Sequence, residues 1–360
     1  MGAASGFAIE ELPIPETLES AGGADFVATV DVRNAAESRA YGTDEVAVPA
    51  SEILAYWHDP HEPQRLWAAR RGGRIVARAL LGWQPETPDV SWVTIQVHPD
   101  AERAGIGGAL HAVVEAAAHA QGFGRMITYA PSAEGPGARL VPPTGAGSVP
   151  RDNREVRFLL DRGWRLEQVE RGSRIPLPTD PDDLEARRRA AAAAAGPGYR
   201  IHTWAGPTPE PWREDQAHLN TRMSTDAPSA GLEEPEDIWS AERVAEHDER
   251  LAGAGRTTLT AVAEHLPTGR LVAFTQLNVP DDVGRPVSQE DTLVLREHRG
   301  HRLGMLVKVA NLAHLAEVAP GHPSVLTWNA EENRPMLDVN EAVGFVPIGY
   351  EGAWRKDLTR

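Results

Sequence analysis

Val97–Leu110 reads VHPDAERAGIGGAL, and Val294–Val307 reads VLREHRGHRLGMLV. Each stretch is a strand end, a short polar turn with glycines, and the start of an Ala- or Leu-rich helix. Further along, both copies close alike. Asn153–Trp164 is NREVRFLLDRGW and Asn333–Phe345 is NRPMLDVNEAVGF, so a helical segment runs into Gly-aromatic twice. A supersecondary unit that recurs in this order is the signature of an internal repeat.

Working outward, the periodicity predicts the same element order in each half. In the first, helices cover Asp25–Tyr41 and Pro49–Trp57, and Leu66–Ala69 with Ile75–Trp83 form a hairpin around Arg71-Gly72-Gly73. Strand Val90–Val97, helix Gly105–Gln121 and strand Met126–Ala130 follow, then a Gly/Pro/Ser-rich loop over Pro131–Pro150. In the second, strand Tyr199–Ala205 precedes helices Pro209–Met223 and Ile238–Ala252 and a hairpin of Thr257–Ala263 with Leu271–Val279. Then come strand Asp291–Leu295, helix Leu303–Val318, strand Val325–Trp328, helix Pro335–Val343 and the final strands Val346–Lys356. Between the copies, Leu184 to the alanine run is a strong helix former stopped by Gly196-Pro197-Gly198. The reading is α+β: two tandem units, each a mixed twisted sheet flanked by helices. The boundaries are 1–178, a helical linker at 179–198, and 199–360.

The length of 360 residues suits two domains. The chain has no cysteine, which excludes disulfides, zinc-thiolate sites and a cysteine nucleophile, and no metal is expected. A net charge of −16 argues against nucleic acid as a partner, because phosphate binding needs a basic surface. It suits a cationic amine approaching an acidic surface. No window is apolar enough for a membrane helix, and Met1–Ile14 lacks the pattern of a signal peptide, so a cytoplasmic protein is expected.

In the first loop, Gly105, Gly107 and Gly108 allow sharp turning and close backbone approach to a ligand. The unpaired N–H groups and positive dipole end of the following helix favour an anion such as a pyrophosphate. The second loop, Arg299-Gly300-His301-Arg302-Leu303-Gly304, adds guanidinium groups that can pair with phosphate. A plain strand-to-helix turn explains either loop alone, but less readily the same element at the same place in both halves.

Both loops resemble the acetyl-CoA motif of the GNAT superfamily of N-acetyltransferases, Arg/Gln-x-x-Gly-x-Gly/Ala after a strand ending in Val. The closing Asn…Gly-Phe segment resembles that family's last helix and strand. The tandem arrangement is similar to that of the mycothiol synthases, with no substrate motif to carry the narrower reading. The resemblance implies acetyl-CoA as acyl donor and a primary amine of a small molecule or peptide as acceptor. It implies cofactor contacts at Val97, Arg103, Ala104, Gly105, Ile106, Gly107 and Gly108 in the first copy. In the second it implies Val294, Leu295, Arg299, Gly300, His301, Arg302, Leu303, Gly304, Asn329 and Asn333. An oxyanion would be met by a backbone N–H near Leu295.

The departures are informative. Glu102 stands at the family's Arg/Gln position in the first copy, and Arg302 replaces the first motif glycine in the second. The family's general acid, a Tyr four residues before the Gly of Gly-Phe, is Leu159 in the first copy and Asn340 in the second. Leucine cannot donate a proton, so the C-terminal copy is expected to carry the chemistry, with Glu290 and Asp291 as candidate bases and Asn340 in the acid's place. Asn333 is also read as a helix cap. Three further expectations are a pseudo-dimer within one chain, a monomer or homodimer in solution, and, as the rival function, a non-catalytic acyl-CoA sensor. A Rossmann dinucleotide site fits poorly, since its glycine loop follows the first strand of its unit.

Overall fold

The computed structural model describes residues 6–87 and 89–358. The chain forms two compact units. Unit 1 is Met1–Glu170 with Ser229–Glu233 and Gly349–Arg360, and unit 2 is Arg171–Pro228 with Glu234–Ile348. The expected boundary near residue 180 therefore falls inside unit 2, and the last strand of the sequence is divided between the units.

Up to the end of unit 1's main segment the elements are β1 (Ala8–Leu12), α1 (Gly23–Tyr41), α2 (Ala50–Trp57), β2 (Gln64–Arg71), β3 (Arg74–Trp83) and β4 (Val90–Val97). They continue with α3 (Ile106–Gln121), β5 (Arg125–Ser132), β6 (Arg139–Leu140), β7 (Val149–Pro150), α4 (Arg154–Leu160) and β8 (Arg165–Pro176). The rest of the chain forms α5 (Pro181–Ala195), β9 (Tyr199–Ala205), α6 (Arg213–Asp226), α7 (Ala241–Gly253), β10 (Arg256–His265), β11 (Arg270–Pro280) and β12 (Val287–Val294). It ends with α8 (Leu303–Val318), β13 (Ser324–Ala330), α9 (Arg334–Val343) and β14 (Val346–Asp357). No described helix is long and apolar enough to cross a membrane.

In unit 1, β1, β2, β3 and β4 pair antiparallel in that order. β4 pairs β5 in parallel, and Tyr350–Asp357 of β14 lies antiparallel on β5. Alternation along the strands gives the sheet two buried faces. Leu66 and Ala68 pack under α1 with Phe26 and Val30, while Trp67 and Ala69 pack under α3 with Ile106, Leu110 and Val114. Trp354, only 1% exposed, joins the α3 core from the far end of the chain. Burying a side chain of that size contributes roughly 2–3 kcal/mol, so this unit depends on the last strand for its core. The predicted loop 131–150 holds the short β6–β7 ribbon, pinned where Arg139 bonds Glu134 and Ser148.

In unit 2, β9, β10, β11 and β12 pair antiparallel and β12 pairs β13 in parallel. The expected linker helix α5 is part of this unit. Asp180 caps it by accepting from the amides of Asp182 and Asp183, with Pro181 in the first turn. Its Ala191 and Ala195 are buried against Leu303, Leu306 and Val307 of α8.

Candidate active site

The two glycine loops have the same backbone. Glu102 and Arg299, at matching places, have φ/ψ of −64/164° and −68/159°. The next residues, Arg103 and Gly300, are both left-handed at φ 59° and 86°, and so are the helix N-caps Gly105 and Arg302 at 80° and 54°. Each loop thus needs two left-handed residues and fills one with glycine and the other with arginine. Arginine there costs roughly 1–2 kcal/mol. The missing motif glycine at Arg302 therefore leaves the geometry intact. The first intrahelical bonds are Ala109 N–H to Gly105 C=O and Leu306 N–H to Arg302 C=O, so the N–H groups before them have no partner within the helix.

Beside each loop the two parallel strands part. β4 and β5 pair at Val90–Trp92 only, and β12 and β13 at Val287–Ser288 only. In unit 1 this splay opens a cavity of about 810 Å³. On the α3 side it is lined by Gly105–Gly108, His111, Phe158 and Trp164, and on the α1 side by Glu37, Gln96 and Tyr129. Residues from both faces of the sheet line it where the strands separate. Gly107 and Gly108 floor it closely. A Cβ at Gly107 would touch Phe158 and Val97 at 3.5 and 3.6 Å, and one at Gly108 would meet the Arg162 guanidinium at 2.9 Å. A bulky side chain at either glycine would therefore press on side chains that line the cavity.

Glu102 faces inward between Arg39 and Arg154 and bonds both, so its charge is already compensated. Arg103 is exposed and lines the cavity, as do Arg157 and Arg162. Ala104 is exposed in the turn, and Val97 and Ile106 line the cavity wall. On the α1 face Gln96 donates to Glu37 at 2.7 Å and accepts from the buried Arg78 at 2.7 Å. One turn beyond Glu37, Tyr41 donates to Glu351 at 3.0 Å. Burial, with Glu170 and Glu37 nearby, pushes the Glu351 carboxyl up to about 8. His111 is held neutral, its pKa lowered to about 4 by burial, and its Nε2 accepts from Trp164 Nε1 at 2.9 Å.

The amide expected near Leu295 is narrowed by the ladder. Leu295 N–H is donated to Val272 C=O at 2.9 Å, and His98 N–H likewise to Val76 C=O. In an antiparallel ladder, alternate residues turn to the same neighbour. The N–H groups of Val97 and Val294 therefore point away from that ladder, toward the splay.

In unit 2 the strand expected to begin at Asp291 begins at Val287, so Glu290 and Asp291 lie inside β12. The register with β11 slips there: Thr275 faces Thr292 but Leu277 faces Gln289, so two residues oppose one. At this bulge Gln289 Nε2 donates to Gln276 C=O, Glu290 C=O and Thr275 Oγ1, satisfying groups that the interrupted ladder leaves. Glu290 accepts from Asn278 at 3.3 Å. Both residues are exposed on β12, with the rest of the bulge packed beside them. Asp291 rises to about 6 through burial, Glu290 and Asp237, in that order. Burial also raises Glu290, against the pull of Arg256.

The other expected residues separate. Arg299 donates to Val294 C=O and pairs at 3.3 Å with Asp226, which also holds Arg296 and Arg222. The His301 ring packs on Tyr199 at 5.4 Å, while Gly300 and Gly304 keep the turn and Leu303 is buried. Asn333 occupies the N-cap of α9 but its side chain caps nothing; the turn's bond runs from Leu337 N–H to its backbone carbonyl. Asn340 is buried and bonds two partners: Asn329 at 2.6 Å, and Lys308, which donates to it at 2.7 Å. Lys308 was not singled out in the sequence, nor were His111, at the matching helix position, or Glu37. An ionisable residue facing inward from the second turn of both repeat helices is a signal that aligning the copies could have raised.

The model of the acetyltransferase (GNAT) family matches residues 29–138, from α1 to the loop after β5. Among curated proteins none matches the chain. Solved structures match over its whole length. A tandem GNAT protein from the clavulanic acid biosynthesis pathway, without AcCoA, is 22% identical, covers 98% of this chain and 99% of its own, and has a TM-score of 0.70. A GCN5-related N-acetyltransferase from Sphaerobacter thermophilus is 15% identical over 99% and 97%, with a TM-score of 0.65. A glucosamine N-acetyltransferase region in a fungal multi-domain β-N-acetylglucosaminidase is 17% identical, with a TM-score of 0.60, over 97% of this chain and 38% of that one. Residues 29–138 thus match the GNAT acetyltransferase family, and the chain shares the fold of tandem GNAT proteins over its whole length, with the paired loops and the two splays at matching places.

Proposed function

We propose that the chain transfers an acetyl group from acetyl-CoA to a primary amine, and that donor and acceptor meet in the cavity of unit 1. The observation that carries this reading is a cavity at the β4–β5 splay lined from both faces of the sheet, by the glycine loop on one and Glu37 on the other. The free N–H groups at the start of α3 and the side chains of Arg103 and Arg157 suit a pyrophosphate. Val97 N–H suits a carbonyl of the donor arm or the oxygen that gains charge during attack. Glu37 faces the α1 side, where a cationic amine is attracted and can lose its proton, directly or through water. Tyr129, the phenol in the lining, takes the acid's role that Leu159 cannot fill. Holding the two reactants in one cavity supplies the positioning on which such a reaction depends.

A second reading places the chemistry in unit 2, with Asp291 as base; the bulge that brings Glu290 and Asp291 together and the elevated Asp291 favour it. Calorimetric titration with acetyl-CoA separates the two. Gly107→Trp should remove the tighter binding and the thiol release seen with an amine acceptor, while Gly304→Trp should leave both. Unchanged turnover in Gly107→Trp, with loss in Gly304→Trp, would move the active site to unit 2. Binding without thiol release across a panel of amines would favour an acyl-CoA sensor.

A further inference from the structure

Lys308 projects from α8 into the interior of unit 2 and is 1% exposed. Among the described residues its hydrogen-bond partner is Asn340 Oδ1, and no carboxylate pairs with it. The Phe345 ring lies 5.6 Å from its nitrogen. Below about pH 7, where Lys308 keeps its third proton, it only donates, so it settles which end of the Asn340 amide faces it. Asn340 must turn its oxygen to Lys308 and its NH2 to its other neighbour, Asn329 Oδ1. Asn329 is then oriented as well. Its oxygen accepts from Asn340, which leaves its own NH2 for another partner on this half-buried residue, in the part of β13 that no longer pairs with β12. The protonated Lys308 thus sets the direction of two amides and leaves a pair of N–H donors on Asn329, beside the splay.

We propose that Lys308 is a positioning residue that locks Asn340 and Asn329 so that Asn329 presents its amide N–H to a carbonyl oxygen of an acyl-thioester ligand entering between β12 and β13. This rests on the reading that the chain binds acetyl-CoA, and adds that unit 2 engages a donor arm of its own. With a neutral side chain at 308 both amides can turn over, and the splay then meets the ligand's carbonyl with an oxygen as often as with a donor.

The test uses the full chain carrying Gly107→Trp, so that binding in unit 1 is removed, with acetyl-CoA as the probe at pH 6, where Lys308 is charged. Lys308→Met and Asn329→Ala should each weaken the remaining binding about tenfold, the worth of one hydrogen bond. The double substitution should weaken it no further. With 15N-labelled asparagine, the Asn329 side-chain NH2 signal should shift on adding acetyl-CoA in the Gly107→Trp chain and lose that response when Lys308→Met is added. Additive losses, or an Asn329 response that survives Lys308→Met, would overturn the relay. Absence of any acetyl-CoA binding to the Gly107→Trp chain would also overturn it, while leaving the reading of unit 1 intact. Failure of the wild-type chain to bind acetyl-CoA would instead remove that reading.

Discussion

Replacing Lys308 by methionine should stabilise unit 2, and only on one side of a pH window. Burial alone draws the Lys308 pKa from 10.5 down to about 7. That difference corresponds to on the order of 5 kcal/mol of disfavour for the charged form in the folded state. Methionine has nearly the same length and no charge, so the substitution relieves this cost. It also leaves Asn340 Oδ1 without its donor, which costs about 1–3 kcal/mol. The net gain at pH 6 is therefore about 2–4 kcal/mol. Its pH dependence follows from linkage. Between about 7 and 10.5 the unfolded chain holds the lysine proton and the folded chain does not, so wild-type stability rises with pH across that window and is flat below it. The advantage of Lys308→Met is full below pH 7, shrinks through the window and reverses slightly near pH 10.5. Urea unfolding of both proteins at pH 6, 8.5 and 10.5 measures it, with hydrogen exchange of α8 amides assigning the change to unit 2. A difference that does not vary with pH, or a loss of stability at pH 6, would refute the argument, because either requires an ammonium that is solvated or paired in the folded state.

Three other outcomes follow from the geometry. Gly105→Ala should cost about 1 kcal/mol, because a φ of 80° strains any Cβ even in open space, whereas Arg302→Gly should gain roughly 0.5 kcal/mol at the matching site once the freer unfolded chain is counted; thermal denaturation of the pair checks both signs. Glu351→Gln should leave stability unchanged at pH 4 and raise it above pH 8. The folded carboxyl titrates near 8 instead of 4.5, so wild-type stability falls as pH rises through that interval, and a pH-independent difference would contradict the buried carboxyl. Asp226→Ala should destabilise unit 2 by about 3 kcal/mol, since it leaves Arg222, Arg296 and Arg299 facing one another, and added salt should restore part of the loss; a salt-independent effect in chemical unfolding would point to packing instead.

Much of this architecture is written locally. Two glycine turns, each between a strand and an Ala- or Leu-rich helix, and two Gly-aromatic closures sufficed to read the repeat, the α+β class and the order of most elements. These depend on near neighbours: on which residues accept a left-handed φ and on which apolar positions share a face. Even the irregular loop at Arg302 was readable as the same turn, because glycine and arginine exchange places between two left-handed positions. The sequence ranked the C-terminal copy above the N-terminal one on Leu159, which cannot donate a proton, and on Arg299; the structure ties Arg299 to Asp226, and the matched family segment and the described cavity fall in the N-terminal copy.

What the tertiary structure alone decided is a matter of partners. Periodicity tells which face a strand buries, not which strand it lies against, so nothing local could assign Tyr350–Asp357 to β5 or carry unit 1's core to Trp354. Glu290 and Asp291 looked like the start of a strand because a bulge interrupts the alternation that would have extended it to Val287. That the Leu295 amide is used in the sheet while the Val294 amide turns away could not be read locally, since ladder parity is set by β11 across the sheet. Lys308, Asn340 and Asn329 come from a helix, a second helix and a strand, and are joined only when α8 and α9 close over β13. A lysine in an apolar helix face carries no local mark of its partner, because the hydrogen bond that gives it meaning is made by a residue far along the chain.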